Sequence, residues 1–309
     1  GGLKDSKRGG PFDRRYDLYA SGELLYTSVD ARLASDNDGL PSNLRLRAHR
    51  TDIEGKMIGP LKATYAAVGD VAGLDSPLVG QSVPGRGAVV TNRPIDRPES
   101  FDRTTLRGEL PVGWDAELYR NGQLLAVASD RKDGRYEFAD VQLLYGQNHL
   151  EVVLYGPQGQ VRRRQEIVSV GQDSIAAGKT YYWAGISQDN HDLIDLSSDP
   201  RPRQRGWRGA LGIEHGIDAR TSIAAQIHSI VVDEERMNFA EMAVRRSLGP
   251  ALLEMSAAFE DKGGYALRSQ LLAQFGRTYL SGESIFAHGF HSDRVERQVR
   301  GRHSIAVDH

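Results

Sequence analysis

The sequence predicts an all-β protein: a partial antiparallel transmembrane β-barrel interrupted by an inserted, plug-like Ig-like β-sandwich. Three observations predict it. Glycine accounts for 34 of 309 residues, about 11% where about 7% is usual, and much of it lies in turn clusters. The C-terminal third reads as two-faced runs of about 9–12 residues, whereas soluble sandwich strands have a mode of about 5–6 and a membrane-crossing strand needs about 9–11. Between the long runs, residues 101–170 hold shorter strands with turns at roughly 8–12-residue spacing, the signature of a small sandwich.

Composition narrows the function classes. Lys and Arg total 39 against 41 Asp and Glu, a net charge of −2, which argues against a nucleic-acid partner. No apolar run of about 18 residues occurs, so no transmembrane helix is expected. A barrel stays open because its strands alternate and average out as polar. Cysteine is absent, which excludes disulfides, Cys-ligated zinc and thiol nucleophiles. The chain opens on Gly1-Gly2 and closes at His309 inside an apparent strand, and it reads as a piece of a longer protein.

In chain order, residues 1–14 form a flexible lead-in and residues 15–71 barrel strands. Within 23–34, Leu25, Thr27, Val29, Ala31 and Leu33 share one side of a single run. Asp36-Asn37-Asp38-Gly39 is a turn, and Leu44, Leu46 and Ala48 oppose Arg45, Arg47 and His49 beyond it. Residues 72–100, dense in Gly and Pro, read as a linker loop. In the sandwich at 101–170, Asn121-Gly122 is the strongest two-residue hairpin signal, and Gly156-Pro157-Gln158-Gly159 closes another hairpin. Residues 171–206 read as a connecting loop and 207–309 as barrel strands. There Leu211, Ile213, His215 and Ile217 share a face, as do Leu253, Met255, Ala257 and Phe259, and Tyr265, Leu267, Leu271, Ala273 and Phe275. Opposite the last set lie Arg268, Gln270 and Gln274.

Two packings satisfy these long strands: a soluble sheet with apolar faces turned inward, or a barrel with apolar faces to lipid and polar faces to a watery lumen. Arg, Gln, Glu and Ser on the polar faces suit the barrel. So do Trp207, Phe239, Phe259, Tyr265, Phe275 and Tyr279 near strand ends, where aromatic girdles sit. His215 and Glu241, on or near apolar faces, count against it.

Local phrases add a family likeness. Gly85-Arg86-Gly87-Ala88-Val89-Val90-Thr91-Asn92 leads into the sandwich, and Ala116-Glu117-Leu118-Tyr119-Arg120-Asn121-Gly122-Gln123-Leu124-Leu125 follows. With the order strands, Gly/Arg loop, small sandwich, strands, the chain resembles the fimbrial ushers, outer-membrane proteins that secrete and assemble pilus subunits. The phrase Gly134-Arg135-Tyr136-Glu137-Phe138-Ala139-Asp140-Val141 resembles a stretch of the usher plug, though Asp133-Gly134-Arg135-Tyr136 stands where that family has Pro-Gly before Phe. The resemblance implies a bacterial outer-membrane protein whose plug blocks a pore until a chaperone–pilus subunit complex arrives, with outer-membrane lipid as its surroundings.

A plug of this kind acts by occlusion, with polar contacts to the lumen wall. Arg162, Arg163 and Arg164 at the sandwich edge are candidates to pair with Glu254 or Glu260, and Arg268, Gln270 and Gln274 are candidate lumen-wall contacts. The alternative for the arginines is a solvated basic edge strand. No phosphate loop, dinucleotide fingerprint, zinc helix or serine elbow occurs, so no enzyme activity and no cofactor are expected. Asp189, Asn190, His191, Asp192, Asp195 and Asp199 raise a metal site but lack the EF-hand offsets, and a polar hairpin loop explains them equally. His288, His291 and Asp293 read as a rim loop, and Arg294, Arg297, Arg300 and Arg302 as contacts to lipid headgroups or lumen. The second function class is a secreted β-sandwich binding or adhesin module without transport.

Overall fold

A computed structural model describes residues 16–24, 26–35, 40–94, 102–111, 113–128, 134–171, 177–194, 196 and 206–308. The lead-in 1–14, the turn 36–39, Asp195 and Asp199 lie outside the described residues.

Thirteen strands form one antiparallel sheet by a meander that is interrupted once. It begins with β1 (Asp17–Leu24), β2 (Thr27–Ser35), β3 (Pro41–Thr51), β4 (Tyr65–Ala72) and β5 (Pro84–Thr91). The chain then leaves the sheet for six strands: β6 (Arg103–Glu109), β7 (Asp115–Arg120), β8 (Gln123–Ala128), β9 (Arg135–Gln142), β10 (Gly146–Tyr155) and β11 (Val161–Val170). It rejoins at β12 (Thr180–Asp189) and continues through β13 (Arg208–Asp218), β14 (Thr221–Val232), β15 (Glu235–Ser247), β16 (Ala251–Glu260), β17 (Tyr265–Phe275), β18 (Thr278–His288) and β19 (Gly301–Asp308). No helix is long and apolar enough to cross a membrane, which says nothing of crossing by strands.

β5 and β12 are hydrogen-bonded neighbours, Trp183 opposite Thr91 and Asp189 opposite Gly85. The six-stranded insert therefore hangs from the end of one hairpin and does not break the ladder. This corrects the sequence reading, which placed β5 in a linker and β12 in a connecting loop. Glycine density reads as loop, but here it serves close strand approach. A Cβ on Gly85 would stand 2.2 Å from the Gln188 carbonyl oxygen, and one on Gly87 2.0 Å from that of Ile186. The single run expected over 23–34 is likewise two strands, turning at Tyr26, whose φ is 62°.

Alternation sorts the long strands into two faces. On the outward face Leu211, Ile213, Ile223, Ile227, Met242, Met255, Phe259 and Leu267 are exposed. No second sheet covers them among the described residues, as a soluble stack would require. The other face carries the insert. Its polar centre lies between two apolar clusters. Nearer the tethers, Leu252 and Leu272 of the sheet join the insert's own core of Leu106, Leu110, Leu118, Phe138, Leu143, Leu150 and Val152. Toward the other rim, the β4–β5 and β18–β19 loops fold inward, and Leu78, Val79, Phe290 and Val295 pack on Ile230, Met237, Phe239 and Ile285.

The inner face is thus not polar throughout. Phe239, expected in a girdle, points inward onto Phe290 with ring centroids 5.4 Å apart. Tyr279 also lies on the inner face, accepting a hydrogen bond from Gln274 Nε2 at 3.3 Å. Glu241 turns inward and is buried, so it no longer counts against a lipid-facing exterior. His215 stays outward and half-buried, its Nδ1 2.8 Å from Thr180 Oγ1. Trp207, Phe259 and Phe275 are exposed, and Tyr265 stands beside His288 at 5.7 Å.

In the insert, one sheet runs β11-β10-β7-β8 and the other pairs β6 with β9. Asn121 and Gly122 take φ of 51° and 84°, the left-handed pair that a two-residue hairpin needs.

The close approach of β5 and β12 gives a test. Gly87→Val is expected to destabilise the folded protein by about 1–3 kcal/mol through overpacking, lowering the temperature at which the heat-modifiable band is lost on electrophoresis. Gly22→Ala, where nothing lies within 4 Å, should change stability by less than about 0.5 kcal/mol.

Candidate functional site

Period-2 alternation puts Arg268 on the inner face of β17, between outward Leu267 and Ser269. Its side chain is 0% exposed, which is tolerable for a guanidinium only if its donors are met. Nε donates to Glu283 Oε2 at 2.7 Å and Nη1 to Glu254 Oε1 at 3.3 Å. Nη2 meets both the Asp102 carboxylate of the insert's leading tether and Gln270 Oε1. The register sets Glu254, Gln270 and Glu283 side by side on β16, β17 and β18. Arg268, one pair further along, reaches both flanking carboxylates and offsets their mutual repulsion.

The pairing continues sideways. Glu254 accepts from Arg245 Nη2 at 2.8 Å, Arg245 Nη1 lies 3.3 Å from Glu214, and Ser222 Oγ donates to Glu214 at 3.1 Å. Glu283 accepts from Arg302 Nη2 at 3.4 Å. At the other end Arg93, just after β5, stands 3.7 Å from Glu214 and 3.5 Å above the Trp183 ring, a cation–π contact. Carboxylates and guanidiniums therefore alternate across the wall from the tether to β19. The insert's leading tether touches this belt twice, at Arg93 and Asp102.

Further contacts hold the insert. In the β18–β19 loop Arg294 pairs with Asp75 of the β4–β5 loop and Asp140 of the insert. Burial works against its charge, but the Asp75 and Asp140 carboxylates outweigh it and raise its pKa. Arg107 Nη2 donates to Ser82 O at 2.5 Å and Arg103 Nη2 to Pro77 O at 3.1 Å, so carbonyls of the β4–β5 loop grip β6. Gln142 Nε2 donates to Ser281 Oγ and Tyr145 OH to Gly249 O, both at 2.7 Å. From β2, Arg32 pairs with Glu109 and donates to Gly134 O. In β7, burial lowers the Arg120 pKa against the opposing pull of Asp308.

Of the residues singled out in the sequence, Arg268, Glu254 and Gln270 meet in this cluster, and Gln274 sits against the insert, its Oε1 3.1 Å from where a Gly146 Cβ would stand. Glu260 instead accepts the His291 N–H at 3.3 Å. The contacts of the arginine triplet lie within the insert and not at Glu254 or Glu260. Arg162 stands 5.0 Å over the Trp114 ring, Arg163 is 3.5 Å from Glu151, and Arg164 is 3.8 Å from Glu166 and donates to Arg107 O at 3.0 Å. All three are on β11, an edge strand, which fits the solvated-edge alternative. Asp102, Arg93 and Asp75 were missed because each lies in or beside a loop, where no periodicity assigns a face, and Asp140 because it sits in an irregularity of β9, with φ of 54°.

The acidic segment is engaged otherwise. Asp189 pairs with Arg208 and Asp192 lies 3.6 Å from Arg45. Among the described residues no group of three His, Asp or Glu could hold a metal ion. His291 reaches Asp233 at 2.8 Å, and Asp293 pairs with Arg208. Arg294 pairs with Asp75 and Asp140, and Arg302 reaches Glu283 on the inner face, so of the two alternatives the lumen side holds for both, through the inward fold of the loop and the parity of β19.

The cluster predicts a stability signature. Arg268→Met takes the shared guanidinium from three carboxylates, of which Glu254 keeps Arg245 and Glu283 keeps Arg302, and is expected to cost about 3–5 kcal/mol in urea unfolding from detergent micelles. Asp102→Asn should cost less, and the double variant should fall short of the sum by about 0.5–3 kcal/mol.

No protein-family model matches the chain, and no curated protein matches it in sequence. In fold it is similar to solved usher pores. For "Structure of the P pilus usher (PapC) translocation pore" the TM-score is 0.46 at 14% identity, over 95% of this chain and 62% of that one. For "Crystal structure of Usher PapC translocation pore" it is 0.37 at 14%, over 89% and 62%. An E. coli P pilus tip assembly intermediate, PapC-PapD-PapK-PapG, gives 0.46 at 12%, over 94% of this chain and 38% of that one. The chain spans about three fifths of the length of the two usher pores it is similar to, and its structural neighbours are P pilus ushers.

Proposed function

We propose that this chain forms part of the wall of an outer-membrane translocation pore of the usher kind, and that the insert is its plug. The single observation carrying this reading is the two-sided sheet. One face is apolar and uncovered, and the other is a paired-charge wall on which a compact module is seated through its own tether. An uncovered apolar face of this extent suits lipid. The ordered charge belt suits a surface that must stay wetted and neutral when the module leaves, because Arg268 keeps Glu254 and Glu283 without Asp102. The usher class comes from the resemblance of the local phrases, and with it chaperone–subunit complexes as cargo. Occlusion needs no chemistry, and no catalytic role is proposed for any residue. The uncovered outer face also weighs against an adhesin built of stacked soluble sheets.

Opening should then depend on the insert's contacts to the wall and not on its free edge. Asp102→Ala with Arg294→Gln is expected to raise the open fraction in planar bilayers by about tenfold or more per contact, since a hydrogen bond to a charged group contributes about 1.5 kcal/mol or more. Sensitivity of cells to large antibiotics should rise in step. Reversing the charges of Arg162, Arg163 and Arg164 should leave conductance at the wild-type level. A double variant as silent as wild type would remove the gate from the reading.

A further inference from the structure

The outward face has relief of its own. Between β15 and β18 lies an apolar depression of about 340 Å³ whose sides are Met242, Val244, Met255, Leu267 and Phe286, with Ser269 between them. Met242 and Leu267 fall in one cross-strand row with Phe286, and Val244, Met255 and Ser269 in the next. The bulky side chains stand open, Met255 at 59% exposure.

The two rims of this wall differ in charge. On the tether side, the turns β13–β14 and β17–β18 hold Arg220 and Arg277 and the end of β15 holds Arg246, all facing outward or into solvent beside one carboxylate of this stretch, Asp218, which accepts the Arg220 backbone N–H at 2.7 Å. The turns β14–β15 and β16–β17 at the other rim hold Asp233, Glu234, Glu235 and Asp261 against Arg236 and Lys262. Arg246 lies two positions beyond Val244 on the same face of β15, about 7 Å along the strand. It donates to Thr221 Oγ1 at 3.2 Å across the β14–β15 pair, which lays its side chain along the wall one strand to the side of the groove's end.

We propose that this face binds an anionic glycerophospholipid, with an acyl chain in the groove and the phosphate at Arg246, flanked by Arg220 and Arg277. The proposal rests on the membrane-wall reading above. Charge complementarity favours this occupant over a second copy of the chain. A copy in the same bilayer, related by an axis along the membrane normal, would set its arginine rim against this one.

The test is electron spin resonance of the intact protein reconstituted in bilayers, comparing spin-labelled phosphatidylglycerol with phosphatidylcholine. Phosphatidylglycerol is expected to be the more strongly immobilised lipid. Arg246→Gln should cut that preference about fivefold, the effect of one basic residue near an anionic surface. Ser269→Phe, which fills the groove, should lower the immobilised fraction of both lipids. Arg236→Gln at the opposite rim should leave the preference in place. Equal immobilisation of the two lipids, a preference that survives Arg246→Gln, or one lost equally with Arg236→Gln overturns the proposal while leaving the wall reading intact. Failure of the protein to enter bilayers at all sinks both.

Discussion

A single guanidinium, that of Arg268, organises the inner face. Three carboxylates from two neighbouring strands and one tether converge on it, where solvent does not reach. Such a cluster contributes little net stability, because desolvation offsets most of the Coulomb attraction. Its consequence is geometric: Glu254 and Glu283 are held one strand either side of β17, and Asp102 fixes where the insert's tether meets the wall. Losing Arg268 takes the shared cation from all three acids, and the cluster favours the seating of the insert in which Asp102 reaches it. The two apolar clusters that flank it supply the adhesion.

The insert's attachment obeys the same economy. It emerges from a hairpin whose strands remain paired, so the wall does not rely on the insert for its ladder. Gly85 and Gly87 let β5 and β12 approach where any Cβ would meet a carbonyl. Separating insert from wall exposes polar groups along the belt and two leucines, Leu252 and Leu272. The belt itself stays internally paired through Arg245, Glu254, Arg268 and Glu283. A wall of this kind presents alternating charge of both signs and no large field of either sign.

The two loops that fold inward, β4–β5 and β18–β19, alter the simple rule that polar means lumen. They bring Leu78, Val79 and Phe290 to the inner face and dry its far half. Their own ends are tied by Arg294, Arg208 and Ser292, which donates to Leu78 O at 2.7 Å. Phe239 therefore belongs to an interior, though its place near a strand end suits a girdle equally well.

The strand runs from β13 to β17, the faces of most of their residues and the hairpin at Asn121-Gly122 are legible in the amino-acid sequence, because period-2 alternation and left-handed turn residues are local properties; Phe239 and Glu241 are the exceptions. The sequence also marked Arg268, Glu254 and Gln270 as one inner surface, since parity alone sets their direction. That the Gly- and Pro-rich stretch holding β5 is a strand emerges from the folded chain, since its glycines answer to carbonyls of β12, about a hundred residues away. The same holds for the meeting of Asp102, and not the arginine triplet, with the wall. Whether a loop carboxylate finds a guanidinium depends on how the chain returns to the sheet, and no local pattern encodes that path.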